Sequence, residues 1–191
     1  MPVSVLKKLT GLAFVLLLAA CASDQRRVVA DPRVVRAVAA VQLDPTEATA
    51  RLSAYRASHG LAAVRLDPVL IAMAQRQANA MAASDALSHS ISGSFSARLA
   101  SAGVDTGRAA ENIGVGYMST EEAFTGWRNS SEHNVNLLMP QATRFGIALA
   151  KDPNTRYRTF WAMVVAADPE RRSEGPAGVL MSPSFGPVVA P

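Results

Sequence analysis

The segment from Tyr157 to Ala166 most constrains the fold. Thr159, Trp161, Met163 and Val165 fall on one face of an extended chain, and Phe160, Ala162 and Val164 fall on the other. A strand that is apolar on both faces is a central strand covered twice. Phe145-Gly146-Ile147-Ala148-Leu149-Ala150 reads as its neighbour, joined to it through the turn Lys151-Asp152-Pro153-Asn154. Several helical segments are available as cover, so helix layers are expected on both sides of the sheet.

The helices announce themselves by their starts. Asp44-Pro45-Thr46-Glu47 opens one that closes at His59-Gly60, with glycine suited to the left-handed position after the last turn. His59 is read there as a helix-terminal capping residue and not as a ligand. Leu61 to Leu66 reads as a short link. Asp67-Pro68 opens the next helix, where Val69, Leu70, Met73, Ala74, Gln77, Ala80 and Met81 form an apolar stripe for core packing. Ser119-Thr120-Glu121-Glu122 is a capping box, so Glu121 and Glu122 are helix-start carboxylates. Downstream, Trp127, Ser130, His133 and Leu137 recur at helical spacing, and Pro140 stops the apolar run.

The N-terminus has a different character. Lys7 and Lys8 precede an apolar run from Leu9 to Leu18, too short for a comfortable bilayer span and suited to an export signal. It ends in Leu18-Ala19-Ala20-Cys21, and Cys21 is the only cysteine. This resembles a bacterial lipobox. The resemblance implies cleavage of a lipoprotein signal over residues 1–20, diacylation of Cys21 and firm membrane anchoring by more than one acyl chain. Ala22, not aspartate, follows the cysteine, a pattern that in enterobacterial lipoproteins goes with outer-membrane sorting. Residues 21–43 then read as the lipidated cysteine and a tether, within which Val34 to Val41 suits a short helix or an extended arm. Asp168 to Pro191 carries five prolines and three glycines and reads as a loosely packed tail from residue 169.

Without Lys7 and Lys8 the 19 basic residues become 17 against 15 acidic, a net of +2. No basic run with interleaved aromatics occurs, so nucleic-acid binding has no support. An acylated Cys21 leaves no thiol for a disulfide or a zinc site, and the fold must hold through its core.

Several short motifs follow one another in a characteristic order. They are Tyr55-Arg56-x2-His59-Gly60-Leu61, Leu66-Asp67-Pro68-x-Leu70, Ala78-x2-Met81-Ala82, Ser88-His89-Ser90 and Phe95-x2-Arg98, then Glu111-Asn112-Ile113, Trp127-x2-Ser130-x2-His133 and Phe145-Gly146-Ile147-Ala148. Over about residues 46 to 167 the chain resembles a bacterial member of the CAP superfamily of SCP-like domains, with the domain itself bounded at 44–168. The resemblance implies an α+β fold: a three-layer α-β-α sandwich around a central, largely antiparallel sheet. It also implies a cleft holding two histidines and two acidic residues. His89 matches the first histidine, Glu111 the acid of the Glu-Asn-Ile motif, and His133 the second histidine. The fourth position departs from the pattern, because Trp127-x2 leads to Ser130 where eukaryotic members commonly have glutamate. Glu132 is the available substitute, but beside His133 on a helix it points about 100° away.

Three chemistries are open to such a set. His89, Glu111 and His133, with Glu132 as a weaker fourth, suit a divalent metal such as zinc. No His-Glu-x2-His is present, so the common zinc-protease arrangement is excluded. Ser130 and His133, one helical turn apart, suggest a Ser-His-type hydrolase with His89, Glu111, Ser130 and His133 as its catalytic candidates. The favoured reading is a binding or scaffold module on the periplasmic or surface face of a bacterial envelope, taking a lipid, a glycan, a metal ion or an envelope protein. The alternative is a metal-dependent or Ser-His-type hydrolase using the same cleft. The same residues also suit a buried hydrogen-bond network.

Overall fold

The computed structural model describes residues 29–105 and 107–169. The expected export signal, Cys21, the first part of the expected tether and the expected tail beyond residue 169 lie outside the described residues. The described chain forms α1 (Pro32–Ala40), α2 (Pro45–Ala57), β1 (Arg65–Leu66), α3 (Pro68–Ser84) and α4 (Phe95–Ser101). These are followed by β2 (Ala109–Val115), α5 (Thr120–Arg128), α6 (Ser131–Leu137), β3 (Arg144–Lys151) and β4 (Thr159–Ala166).

The sheet order is β1-β3-β4-β2, with β1 parallel to β3 and the other two pairings antiparallel. Every residue of β4 is buried, as its two apolar faces require. Trp161, Met163 and Val165 pack with Ala48 and Leu52 of α2, Ala123, Phe124 and Trp127 of α5, and Leu137 of α6. Phe160, Ala162 and Val164 pack on the other side with Leu70, Met73, Ala74, Ala78 and Met81 of α3. The α+β fold with helices on both faces of a largely antiparallel sheet is therefore the one expected.

Local capping chemistry fixes the helix starts. Asp44 accepts the amides of Thr46 and Glu47, and Asp67 accepts those of Val69 and Leu70. Ser119 caps the Glu122 amide, while the Glu122 carboxylate returns to the Met118 amide. Gly60 takes φ +72° after α2, and the His59 ring meets the Tyr55 carbonyl at 2.9 Å, a terminal and not a ligating role. Gly146 has a packing reason instead: a Cβ there would overlap the backbone of Leu70 and Ile71, so its absence lets α3 lie directly on β3.

Three features differ from the sequence-based expectation, and one open choice is resolved. β1 lies in what reads as a link, since two residues carry no periodic signal. β2 was not expected as a strand, because Ala, Glu, Asn and Gly dominate it and none favours an extended pleat. The stretch from Trp127 to Leu137 is two helices and not one face of a single helix. Ser130 adopts an extended backbone, φ −103° and ψ 120°, and separates α5 from α6. Finally, the open choice at Val34 to Val41 resolves as helix α1, with Val38 and Val41 buried, so the end of the expected tether packs on the domain.

Arg56 secures the end of α2. Its fully buried guanidinium donates to the carbonyls of Ala62, Leu137, Met139 and Ala142 at 2.8 to 3.0 Å. Burial without a carboxylate partner lowers its pKa.

Candidate functional site

β2 pairs on one side with β4 and lies at the other edge of the sheet. An exposed edge leaves a row of unpaired backbone groups. Here α5 and α6 cover them with side chains: the Trp127 indole donates to the Ile113 carbonyl at 3.0 Å, and the Asn136 amide to the Glu111 carbonyl at 3.4 Å. The strand is thereby held among loops and short helices that carry the candidate residues.

Consecutive strand residues point to opposite faces. Glu111 lies opposite Val164, on the α3 face, and Asn112 lies opposite Met163, on the α2/α5/α6 face. His89, from the loop between α3 and α4, reaches the Glu111 carboxylate, Nδ1 to Oε1 at 2.8 Å. His133, on α6, is tied to the other side of the strand: its carbonyl accepts from the Asn112 amide at 2.9 Å. Asn136 also donates to Asn112 Oδ1 at 2.8 Å, leaving that buried amide with partners on both its oxygen and nitrogen.

Arg98, which the Phe95-x2-Arg98 spacing alone assigns no role, is the partner of Glu111. Its guanidinium grips Glu111 bidentately, at 2.6 Å to Oε2 and 2.9 Å to Oε1. It also donates to the His89 carbonyl at 2.9 Å and the Gly93 carbonyl at 3.2 Å. The Glu111 side chain is 2% exposed, whereas that of His89 is 55% exposed. A buried ion pair thus aims an accessible imidazole. The histidine loop has a second clamp: Gln77, fully buried on α3, donates to the Ser88 carbonyl at 2.6 Å and accepts the Ser92 hydroxyl at 2.5 Å.

Ser130 and His133 are in direct contact, Oγ to Nδ1 at 2.8 Å. Ser130 occupies the N-cap position of α6 but makes no capping bond to the helix backbone, its hydroxyl bonding the ring instead. In triad logic the base presents one ring nitrogen to the nucleophile and the other to a carboxylate. Of the two carboxylates available for that role, Glu111 is engaged by Arg98 and His89. Glu132 is exposed and forms no hydrogen bond or ion pair among the described residues.

Zinc requires several ligand lone pairs converging on one point. Among the described residues no three His, Cys, Asp or Glu side chains are grouped to hold a metal ion. Both oxygens of Glu111 already accept from Arg98, and His133 reaches the strand through its backbone carbonyl on Asn112. The arrangement suits Glu111 as the residue that orients His89.

Comparisons with known proteins agree with this architecture. The chain belongs to the cysteine-rich secretory protein (CAP) family, whose family model matches residues 49–165. An SCP-domain extracellular protein from Bacillus anthracis str. Ames is similar in fold, with 24% identity and a TM-score of 0.57 over 65% of this chain. An outer surface protein from Borrelia burgdorferi matches 66% of this chain and 96% of its own, with 16% identity and a TM-score of 0.58. A cysteine-rich secretory protein from Staphylococcus aureus matches 65% of this chain, with 16% identity and a TM-score of 0.51. The match spans 40% of both the Bacillus and the Staphylococcus chains. No curated protein matches the chain. No helix among the described residues is long and apolar enough to cross a membrane.

Proposed function

We propose that this CAP-domain protein is anchored to a bacterial envelope membrane through acylated Cys21, at the outer membrane, and works there as a binding module without turnover. The edge of β2, flanked by His89 and His133, is the binding region, and its ligand is a lipid or an envelope protein. The extracellular and outer-surface descriptions of the Bacillus and Borrelia neighbours support the location. The observation that carries the binding reading is the bidentate Arg98–Glu111 pair. A carboxylate gripped on both oxygens by a guanidinium is poorly disposed to act as a general base, so Glu111 orients and His89 contacts.

The second reading is a Ser-His-type hydrolase, which the 2.8 Å contact between Ser130 and His133 favours. Ring-proton NMR of the mature chain, titrated separately with short-chain phosphatidylglycerol and zinc chloride, distinguishes the two when paired with ester and peptide hydrolysis assays. Shifts of the His89 and His133 signals with the lipid and no hydrolysis support the binding module. Hydrolysis abolished by Ser130→Ala overturns it in favour of the hydrolase. Joint saturable shifts of both rings with zinc, competed by a chelator, overturn the assignment of Glu111 as an orienting residue only. For the anchor, a Cys21→Ala chain that is still processed and still fractionates with membranes overturns acylation.

A further inference from the structure

The arginines of the described chain differ by environment, and Arg76 is exposed on α3 without an ion pair among the described residues. Arg51, Arg65, Arg98, Arg128 and Arg144 pair with carboxylates, and Arg56 is buried against carbonyls. Arg33 and Arg36 on α1, and Arg156 and Arg158 in the turn between β3 and β4, are exposed and form no ion pair among the described residues. Arg156 does no more than lie over the Tyr157 ring, 5.2 Å from its centroid. These four belong to one end of the molecule, because α1 is fastened to that turn. The Ala30 amide donates to Asn154 Oδ1 at 3.1 Å, and Lys151 Nζ donates to the carbonyls of Ala39 and Val41 at 3.0 and 2.9 Å.

The same end holds a recess of about 500 Å³ between the start of α1 and the turn, lined in part by Val34, Asp85, Asn154, Arg156 and Arg158. Exposed apolar side chains accompany the arginines: Val29 is 87% exposed and Val35 is 40% exposed. The carboxylates at this end already serve backbone amides: Asp31 that of Arg33, Asp85 that of Arg156, and Asp152 that of Asn154. Arg158 has φ +68°, a left-handed conformation that glycine would adopt without strain. An arginine sits where the backbone would suit glycine, and its side chain is exposed.

We propose that this end of the domain, presenting Arg33, Arg36, Arg156 and Arg158, docks on the anionic phospholipid headgroups of the membrane to which the chain is anchored. The proposal rests on the anchored reading for the position of the bilayer. Cys21 precedes Val29 by eight residues, and a fully extended chain of that length spans at most about 28 Å. An acylated Cys21 therefore keeps the α1 end next to the bilayer, where guanidinium groups meet phosphates and exposed valines reach the interface.

The test uses the mature chain from residue 21 with Cys21→Ala, so that no acyl chain contributes. It is sedimented with vesicles of phosphatidylcholine alone and of phosphatidylcholine with phosphatidylglycerol. The expected result is partitioning to the anionic vesicles only, weakened by salt and reduced about fivefold by each of Arg33→Gln, Arg36→Gln and Arg156→Gln. Arg158→Gly is the decisive variant: it removes a charge while relieving the backbone, so it lowers partitioning and leaves the melting temperature the same or higher. Equal binding to neutral and anionic vesicles, or anionic binding unchanged when all four arginines are replaced, overturns the docking surface. Membrane fractionation of the wild-type chain separates the two ideas. A chain held on membranes solely through Cys21 keeps the anchor and rejects the surface, whereas arginine-dependent vesicle binding by a chain that is never acylated keeps the surface and rejects the anchor.

Discussion

Arg98 holds both oxygens of Glu111 in a pair almost wholly removed from solvent, with the guanidinium side chain 9% and the carboxylate side chain 2% exposed. The two residues lie on α4 and β2, and their contact fixes the loop that carries His89. Breaking a buried pair by removing one partner leaves the other charge without compensation. Arg98→Ala is expected to lower stability by about 3–5 kcal/mol in urea unfolding. Arg98→Lys, which keeps the charge but not the fork, should recover only part of that and leave the His89 ring signals shifted.

The Ser130 hydroxyl is the partner of His133 Nδ1 at the start of α6. Ser130→Ala is expected to change the tautomer balance of His133, read from its ring nitrogen shifts. The stability cost should stay within about 1 kcal/mol, because the site is only partly buried and a single hydrogen bond is lost. A serine that served only to start the helix would leave the ring spectrum unchanged.

Asp67 links the start of α3 to Arg144 at 2.6 Å. Burial pushes its pKa up, but the Arg144 hydrogen bond and the Leu70 and Val69 amides outweigh burial and hold it below the ordinary 3.8. The unfolded chain therefore takes up this proton at a higher pH than the folded one. The stabilisation is fully present above about pH 4 and is lost as pH falls through the lowered folded value. Unfolding measured across that acid range should show a shallower pH dependence in Arg144→Ala than in the wild type.

At Gly146 the backbone of α3 lies too close to the sheet to admit a Cβ. Gly146→Ala should destabilise the domain by about 3 kcal/mol, since the added methyl meets backbone and not a movable side chain. Gly103→Ala, where no atom stands within 4 Å of the added carbon but φ is +66°, should cost about 1 kcal/mol through the backbone alone. Thermal unfolding of the two variants separates packing from conformation.

Much of the fold was legible because it rests on interactions between near neighbours in sequence. Asp44, Asp67 and Ser119 cap helices two or three residues away, and the alternation from Thr159 to Ala166 assigns each side chain to a face without reference to the rest of the chain. β2 was not legible because its strand character comes from β4, whose free edge pairs with a sequence of low extended propensity. The break at Ser130 was hidden for a related reason: the spacing of Trp127, Ser130, His133 and Leu137 fits one helix, and only covering the β2 edge with α5 and α6 turns the chain there.

The candidate site shows the same division. The residue types of His89, Glu111, Ser130 and His133 mark them as polar groups with chemistry to offer, and the ordered motifs around them identify the family. Their mutual geometry is a tertiary property. Glu111 and Asn112 are adjacent in sequence, yet the pleat sends them to opposite faces, so the His89 ring and the His133 backbone carbonyl attach to different sides of one edge strand. Arg98, thirteen positions before Glu111, then claims the carboxylate. The sequence determined the helix starts, the doubly covered strand and the inventory of reactive groups, because each depends on local hydrogen bonds or on periodic burial. The tertiary structure decided which groups meet, because a buried carboxylate must satisfy its charge with whichever partner the packed layers bring within reach.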